Sequence, residues 1–452
     1  MDRTIAAIAT AQAPAGIGVI RVSGSGAIET AQKVFSGGKA LTGMRGYTAS
    51  FGRIVWNGEV IDEAVALVFR APHSYTGEDT VELSCHGGLY ILQRVLRCLY
   101  EAGAAPAEPG EFTKRAFMNG KMDLTEAESV MQLIGAKGEQ AMRTAQYVMD
   151  GAVARRIEGV KSVLLNISAH LAAWVDYPDE EIEELGEDEL EAGLRECRQR
   201  LETMIREFDA GKVMREGIDT VIAGKPNVGK STLMNLLSGS RRSIVTDVAG
   251  TTRDVVEETV LVGDVLLHLS DTAGIHDTDD VVEGVGVEMA LDRLERAELI
   301  IAVFDSSSEL SDDDIALLER IKGRRAIAVI NKTDLKPSLD PSVIAEYLGD
   351  PVFISAESDG AYDIIAEKLK HISGLDELDP SAGVISTERQ RMCCVKALES
   401  VREALDSLTG GYTLDAVNVC IDTAIDALLE LTGERASESV VNEIFSKFCV
   451  GK

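Results

Sequence analysis

The sequence predicts a multidomain protein of mixed α+β and α/β class, in which an α/β domain with a mostly parallel sheet interrupts a helical bundle. Three observations lead to this prediction. A Gly-x-x-x-x-Gly-Lys-Ser loop separates a strand-like run from a helix-like run, near-continuous apolar runs follow it, and proline-free segments with helical periodicity flank the whole region. We expect an α+β N-terminal domain at 1–119, a first helical part at 120–216, the α/β domain at 217–377 and a second helical part at 378–452.

The composition limits the classes of function. The 452 residues carry 45 Lys and Arg against 75 Asp and Glu, a net charge of 45 − 75 = −30, which repels a phosphate backbone over most of the surface. Any contact with nucleic acid must therefore use a local basic patch or a basic partner. The seven cysteines show no metal-ligand spacing, and no signal pattern or long apolar run is evident, so we expect a cytoplasmic protein without a membrane span.

Strand-like and turn-like runs fill the first segment. The sequence predicts strands over 17–24 and 65–69, a turn, strand and turn over 74–88, and a helix over 89–100. His86 stands beside two glycines and could be a ligand or a base, but we favour a turn residue that bonds to the backbone. The segment by itself does not indicate a chemistry.

Two blocks without proline predict long amphipathic helices. The first covers 110–177 and the second follows Pro380 as far as Phe448. The acidic run 179–191 indicates a solvated face, with binding of a basic partner as the alternative, and it leads into a helix that ends near Val213. Each block has an apolar stripe that needs covering, so we expect the two to pack together.

The phosphate loop has the sequence Gly224-Lys225-Pro226-Asn227-Val228-Gly229-Lys230-Ser231, followed by Thr232. Backbone N–H groups at the start of a helix are suited to bind the phosphates of a nucleotide. Gly224 and Gly229 allow backbone angles and close approaches that a Cβ would obstruct. Lys230 can reach the β- and γ-phosphates as a catalytic group, and the Ser231 hydroxyl can ligate Mg²⁺. A glycine-rich turn with a chance lysine is the alternative for this loop alone.

Further motifs follow in the order expected of a GTPase. Gly250-Thr251-Thr252-Arg253-Asp254 predicts a switch loop with a threonine ligand for Mg²⁺, and Asp271-Thr272-Ala273-Gly274 predicts a segment that senses Mg²⁺ and the γ-phosphate. Asn331-Lys332-Thr333-Asp334 supplies a carboxylate that can accept from guanine N1–H and the N2 amine, and Ser355-Ala356 can approach O6. Together they predict an inserted, Ras-like P-loop GTPase domain.

One position departs from the Ras-like pattern. Ile275 directly follows Gly274, where Ras-like enzymes carry a glutamine that positions water. An isoleucine cannot orient water, and no arginine finger is evident from the sequence. Another group must therefore prepare the nucleophile.

Several stretches outside the common GTPase motifs are more specific. They are Val19-Ile20-Arg21-Val22-Ser23-Gly24, Thr76-Gly77-Glu78-Asp79, His86-Gly87-Gly88, Pro109-Gly110-Glu111-Phe112-Thr113, Asp176-Tyr177-Pro178-Asp179-Glu180-Glu181, Thr246-Asp247-Val248-Ala249 and the tail Phe448-Cys449-Val450-Gly451-Lys452. With the P-loop they make the chain, along essentially its whole length, resemble the bacterial tRNA modification GTPases of the MnmE family, also called TrmE. The terminal Cys-x-Gly-Lys is the most specific stretch, since ordinary GTPases lack it.

The resemblance implies a folate-binding N-terminal domain, a discontinuous helical domain and an inserted Ras-like G domain whose dimerisation orders the switch loop. It implies action with the FAD-dependent partner MnmG (GidA), and FAD enters through that partner only. The implied product is an aminomethyl or carboxymethylaminomethyl group on C5 of the wobble uridine of certain tRNAs. The implied one-carbon donor is 5,10-methylenetetrahydrofolate or 5-formyltetrahydrofolate.

The resemblance also assigns roles to residues of the first domain and the tail. Arg21, Glu82, Lys121 and Lys452 match folate-binding positions. Without the resemblance, Arg21 and Glu82 would be interpreted as a surface ion pair and Lys452 as a frayed end. Cys449 is a candidate for chemistry, with a buried thiol at a helix end as the alternative.

Within the G domain the resemblance implies a K⁺ site formed by Asn227 of the P-loop with Thr246, Val248 and Thr251 of the switch loop. It also implies that the switch loop binds the nucleotide through residues 246–252. A monovalent cation there would neutralise charge that develops between the phosphates, as an arginine finger does. Glu283 matches the acid that helps to set the attacking water.

A GTPase that acts as a switch in ribosome assembly or RNA binding is the alternative function. Such proteins usually carry a basic RNA-binding module, whereas this chain is acidic and its tail matches the modification family. We therefore favour tRNA modification.

Overall fold

The computed structural model describes residues 3–176, 186–239, 257–270, 292–376 and 378–452. The chain divides into two compact units. Unit 1 consists of Met1–Met131, Met149–Arg198 and Met392–Lys452, and unit 2 consists of Gln132–Val148 and Gln199–Arg391. Most of unit 2 is therefore one long stretch of chain between two parts of unit 1.

Within its described residues, unit 1 contains a seven-stranded sheet. Its strands, in chain order, are β1 (Ile5–Ile8), β2 (Ala15–Ser23), β3 (Phe35–Gly37), β4 (Thr48–Trp56), β5 (Glu59–Phe69), β6 (Thr80–Gly87) and β7 (Ala105–Pro106). The spatial order is β3-β4-β5-β6-β2-β1-β7. Only β7 is parallel to its neighbour, so the sheet is predominantly antiparallel.

Two helices, α1 (Ala27–Val34) and α2 (Leu89–Glu101), cover one face of this sheet. On β2 the alternate residues Ile20 and Val22 are fully buried in this core. Side chains of a strand alternate between faces, so Arg21 lies on the opposite face, directly across from Glu82 of β6. The strand pattern thus places two charged residues side by side on the face away from the helical layer.

Unit 1 also contains helices from later parts of the chain, and some of these helices extend into unit 2. The helices that lie wholly or partly in unit 1 are α3 (Glu111–Met118), α4 (Leu124–Gly135), α5 (Glu139–Met149), α6 (Ala152–Asp176), α7 (Glu187–Glu216), α12 (Glu388–Thr409), α13 (Leu414–Thr432) and α14 (Glu438–Ser446). Helices α6 and α13 come from the two proline-free blocks and pack against each other. The predicted discontinuous helical bundle is therefore confirmed.

Unit 2 contains a mostly parallel sheet. Its described strands are β8 (Ile218–Ala223), β9 (Glu257–Val262), β10 (Val265–Ser270), β11 (Leu299–Asp305), β12 (Ala326–Asn331) and β13 (Val352–Phe353). The order is β13-β12-β11-β8-β10-β9, and only the β9–β10 pair is antiparallel. The helices α8 (Lys230–Gly239), α9 (Asp312–Ile321), α10 (Pro341–Leu348) and α11 (Ala361–Ile372) complete the described part of the unit.

The central strand of this sheet is buried on both faces. Ile301 and Val303 of β11 belong to one core cluster, and Ile300, Ala302 and Phe304 belong to the other. A continuous apolar run is what a two-sided parallel sheet requires. The parallel strands end at the same edge, at Ala223, Asp305 and Asn331, and ligands of open α/β sheets bind at this edge.

Within the described ranges, no helix combines the length and the apolar character that crossing a bilayer would need.

Candidate functional site

The P-loop needs glycine at two positions. Gly224 has a φ of +149°, and a Cβ there would lie 2.4 Å from the Val303 carbonyl oxygen. Gly229 has a φ of +99°, and its Cβ would lie 2.2 Å from the Asn331 side-chain nitrogen. Both positions combine a left-handed backbone with a closely approaching neighbour, so the sequence pattern has a steric cause.

Lys230 begins α8 directly after the loop. Its ammonium donates to the carbonyl oxygens of Gly224 and Lys225, each at 2.8 Å. Ser231 and Thr232 are exposed in the first turn, where backbone N–H groups have no intrahelical partner. A cation and free N–H groups at one helix N-terminus suit a phosphate group.

Asn227 is the exposed residue at the turn of the loop, and its φ is +66°. Its carbonyl oxygen accepts from the Lys332 ammonium at 2.6 Å, and the same ammonium lies 2.6 Å from Asp305 Oδ2. Burial raises the pKa of Asp305, but hydrogen bonds from Lys332 and Ser307 outweigh it, so the pKa lies below its ordinary value. An ionised Asp305 thus holds Lys332 against the P-loop.

Asn331 joins two motifs that are far apart in the sequence. Its side-chain amide is buried, donates to the Val228 carbonyl at 3.0 Å and accepts from the Ala356 N–H at 2.9 Å. The P-loop and the predicted guanine-recognition loop are therefore fixed to one side chain. Asp334 is exposed and Ser355 is half-buried, so both side chains are accessible to a ligand.

Most of the predicted metal and switch residues lie outside the described residues. These are Thr246, Asp247, Val248, Ala249, Gly250, Thr251 and Thr252, then Asp271, Thr272, Ala273, Gly274 and Ile275, and finally Glu283. Of the residues predicted to bind Mg²⁺, Ser231 is described, and its hydroxyl oxygen lies in an exposed residue beside the phosphate-binding turn, which fits a hard cation. Of the residues predicted to bind K⁺, Asn227 is described, and its exposed position at the turn of the P-loop is compatible with that prediction.

Sequence analysis did not single out Asp305. The sequence did contain a signal, because an aspartate at the carboxyl end of a buried parallel strand lies at the ligand-binding edge of the sheet.

A second cluster lies in unit 1 around Arg21. Its guanidinium bonds Glu82 Oε1, with Nε at 2.9 Å and Nη2 at 2.8 Å, and the two side chains are only 15% and 23% exposed. The guanidinium also lies over the rings of Tyr75 and Phe112, at 5.3 and 5.6 Å from their centroids. The expected alternative of an ordinary surface ion pair does not describe this enclosed arrangement.

The C-terminal tail is held against this cluster. Gly451 has a φ of +102°, and a Cβ there would lie 2.4 Å from the Ile8 carbonyl oxygen. The Gly451 carbonyl accepts from Arg21 at 3.5 Å, and the Lys452 carbonyl accepts from the Phe112 N–H at 3.2 Å. Lys452 is therefore docked rather than frayed.

Lys452 lies close enough to the Arg21–Glu82 ion pair for the charges of that pair to shift the pKa of its ammonium group. Its pKa is lowered mainly by burial and then by the positive charge of Arg21, while Glu82 acts in the opposite direction. The structure thus brings Arg21, Glu82 and Lys452 together. An amine and a guanidinium group beside a carboxylate suit a ligand with both anionic and hydrogen-bond-donating parts.

Lys121 and Cys449 differ from these three. The Lys121 ammonium donates to the Pro72 carbonyl at 3.3 Å, in the loop that also carries Tyr75, and it has no contact with the Arg21–Glu82 pair among those recorded for the described residues. Cys449 is exposed beyond the end of α14, so the alternative of a buried thiol is wrong.

A buried network supports the loop that carries Tyr75. Arg115 is 1% exposed and pairs with Glu78 at 2.9 Å and with Glu111 at 2.8 Å. Glu78 also accepts from Ser23 at 2.9 Å. The network explains Glu78 and Glu111 of the two family-like stretches as structural residues. Sequence analysis could not show this for Glu78, whose partners Arg115 and Ser23 are 37 and 55 residues away in the chain.

His86 is not the turn residue that we favoured. It lies within β6, and its Nδ1 is 2.6 Å from the Asp62 carboxylate, which also accepts from the His86 N–H at 2.8 Å. The hydrogen bond and charge of Asp62 raise the pKa of His86 above its usual range. The pairing is between side chains of neighbouring strands, which the local glycines did not reveal.

A P-loop at the carboxyl edge of a mostly parallel sheet, joined to an Asn-Lys-x-Asp segment, defines the class of P-loop GTPases. Comparison with known proteins gives the family. The family model described as "GTP-binding protein TrmE N-terminus" matches residues 4–121, and the one described as "MnmE helical domain" matches residues 124–449. The chain belongs to the MnmE family of tRNA modification GTPases.

Relatives match over the whole chain. The tRNA modification GTPase MnmE of Alkaliphilus metalliredigens is 39% identical over 459 residues, covering 100% of both chains. The protein of the same name from Symbiobacterium thermophilum is 40% identical over 457 residues, also covering 100% of both. Among solved structures, a variant of Era from Aquifex aeolicus bound to GDP and AlF4⁻ is 27% identical, with 40% of this chain and 66% of that chain covered and a TM-score of 0.26.

Proposed function

We propose that this GTPase, with an FAD-dependent partner of the MnmG (GidA) kind, installs an aminomethyl or carboxymethylaminomethyl group on C5 of the wobble uridine of certain tRNAs. The observation that carries the proposal is the cluster of Arg21, Glu82 and the docked Lys452. A GTPase that only switches between nucleotide states has no need of a C-terminal lysine held beside an enclosed ion pair.

The cluster suits a tetrahydrofolate derivative. The carboxylate of Glu82 can accept from the N–H groups of a pterin ring, as carboxylates do in bidentate recognition of planar donors, and Arg21 and Lys452 can bind carboxylates of the glutamate tail. Bound there, 5,10-methylenetetrahydrofolate or 5-formyltetrahydrofolate would supply the one-carbon unit. The residues of this chain bind and orient it, and Lys121 contributes from its position beside the loop at Pro72.

In the G domain we assign nucleotide binding to residues 227–232, 246–252 and 271–274, to Asn331, Lys332 and Asp334, and to Ser355 and Ala356. Lys230 acts on the phosphates, Ser231 and Thr252 hold Mg²⁺, and Asn227 holds K⁺ with Thr246, Val248 and Thr251. Glu283 sets the attacking water, since Ile275 cannot. The support is the described geometry around Lys230 and Asn331, together with membership of the family.

We further propose that the protein works as a homodimer and divides into domains at 1–119, 120–216, 217–377 and 378–452. Its net charge of −30 argues that tRNA is held largely by the partner or by a local patch, because an acidic surface repels phosphates. The partner also carries the FAD.

Folate binding is tested by titrating the full-length protein with 5-formyltetrahydrofolate in a calorimeter. Arg21→Met should weaken binding by about tenfold or more, because it removes a charge-assisted contact and leaves Glu82 unpaired. Arg53→Met is the matched control, since it breaks an exposed Arg53–Glu63 pair at 3.6 Å on neighbouring strands of the same sheet. Equal affinity of Arg21→Met and wild type would remove this cluster from the proposal.

The reaction itself is tested by incubating the protein with its FAD-dependent partner, GTP, Mg²⁺, K⁺, unmodified tRNA and an amine donor, either ammonium for the aminomethyl group or glycine for the carboxymethylaminomethyl group. A formaldehyde-derived tetrahydrofolate carrying a ¹³C label should place that label in a nucleoside detected by mass spectrometry. Label that stays out of tRNA while GTP is hydrolysed would contradict the proposed chemistry and leave the GTPase in place.

A further inference from the structure

An ion pair fixes the first half of the P-loop to a helix outside it. The Lys225 ammonium lies 2.5 Å from Asp314 Oδ2 in the first turn of α9. The Asp314 side chain is 3% exposed, whereas that of Lys225 is 25% exposed. Sequence analysis named Lys225 as part of the loop and assigned it no role.

The Asp314 carboxylate depends on Lys225 for its counter-charge. Its Oδ2 also accepts from the N–H and the hydroxyl of Ser311, each at 2.9 Å, which caps α9. Its Oδ1 is buried and has no hydrogen-bond partner within the described ranges. A buried carboxylate of this kind is strongly disfavoured without a cation beside it.

Lys225 connects this anchor to the phosphate-binding lysine. Its side chain is held by α9, and its backbone carbonyl accepts from the Lys230 ammonium at 2.8 Å. The other carbonyl that accepts from Lys230 belongs to Gly224, which lies against Val303 of β11. The ammonium is therefore placed by two carbonyls, and the Lys225–Asp314 pair determines where one of them lies.

We propose that Lys225 and Asp314 are positioning residues for nucleotide binding: the pair holds the P-loop in the conformation that places Lys230 and the loop N–H groups for the phosphates. Neither side chain needs to contact the nucleotide. The inference rests on the proposed assignment of the P-loop as the nucleotide site.

The test separates positioning from stability with three variants of the full-length protein. Lys225→Met leaves a buried carboxylate unpaired and should lower the melting temperature. Lys225→Met with Asp314→Asn removes that charge, keeps an acceptor for the Ser311 N–H and should restore the melting temperature. Lys225→Arg keeps the cation and should behave as wild type.

Binding and release of a fluorescent GDP are then measured with each variant. Lys225→Met and the double variant should both bind about ten- to a hundredfold more weakly, with faster release, because the loop is untethered in both. Arg320→Met is the control, since it breaks an exposed pair with Glu295 at 2.6 Å and lies on the same helix. Its affinity should be unchanged.

Three results would overturn the inference. One is an affinity in the double variant that recovers together with the melting temperature, since the pair would then act through stability alone. The others are normal binding by Lys225→Met and weak binding by Lys225→Arg. Lys230→Ala tests the underlying assignment separately: if it binds GDP normally, the P-loop is not the nucleotide site, whatever the Lys225 variants do.

Discussion

Asn331 donates from its side-chain amide to the carbonyl oxygen of Val228 at 3.0 Å, and this bond holds the P-loop to the end of β12. The same amide accepts from the Ala356 N–H at 2.9 Å. A single buried side chain thus sets the distance between the segment predicted to bind phosphates and the segment predicted to bind the base.

Asn331→Ala should therefore reduce both stability and nucleotide affinity. The variant leaves the Val228 carbonyl and the Ala356 N–H unsatisfied, which costs about 1–3 kcal/mol for each buried group. Urea unfolding should show the loss of stability, and calorimetry should show GDP binding weakened by about tenfold or more. Asn235→Ala, at an exposed position of α8, is the control and should change neither. Wild-type affinity in Asn331→Ala would show that the bridge does not position the ligand.

Asp334→Asn should change the preferred base. The carboxylate is predicted to accept from guanine N1–H and N2, and an amide can instead donate to the additional oxygen of xanthine. We expect weaker GTP binding and improved binding of xanthosine triphosphate, measured by competition against a fluorescent nucleotide. Asp334 is exposed, so the substitution should leave the fold intact. Unchanged GTP affinity would show that Asp334 does not recognise the base.

Strands were predictable where the sequence is continuously apolar and missed where a polar residue has a distant partner. The apolar run 265–270, which leads into Asp271, predicts a strand, and this strand agrees with β10 (Val265–Ser270). The strand predicted at 65–69, in contrast, is only the end of β5 (Glu59–Phe69). Asp62 and Glu63 interrupt the apolar pattern. The Asp62 carboxylate is compatible with the strand because it accepts from His86, which follows much later in the chain.

In the candidate sites, too, local patterns were predictable and contacts between distant residues were not. The glycines and Lys230 are recognisable because their spacing is local, and the tail is recognisable because its sequence is unusual. The partners of the P-loop, Asp314 and the bridging amide of Asn331, are brought to it by the parallel order of β8, β11 and β12. Sequence alone does not give the contacts that such a topology creates.

GTP hydrolysis should be much faster in K⁺ than in Na⁺. Asn227 lies exposed at the turn of the P-loop, where a monovalent cation near the phosphates could be coordinated, and loss of one charge-stabilising group typically costs ~10²-fold in rate. Initial rates at matched ionic strength test this, with Asn227→Ala expected to lose the preference for K⁺. Equal rates in the two salts with the wild-type protein would exclude a K⁺ role.

Glu283→Ala should lower kcat and leave GTP affinity nearly intact. A group that positions water only in the transition state contributes ~10²–10⁴-fold to the rate and little to ground-state binding. Single-turnover hydrolysis in saturating K⁺, beside equilibrium binding of a fluorescent GTP analogue, separates the two effects. Normal hydrolysis, or simple loss of nucleotide binding, would remove Glu283 from the catalytic residues.

We propose that GTP hydrolysis in unit 2 and the cluster at Arg21 in unit 1 serve one modification reaction on tRNA. The most direct test of this central claim is mass spectrometry of nucleosides from the total tRNA of cells that lack this protein, with cells complemented by wild type, Lys230→Ala or Arg21→Met. We predict that the C5 substituent of the wobble uridine disappears in the deletion strain and returns only with the wild-type gene. An unchanged nucleoside profile in the deletion strain would contradict the claim.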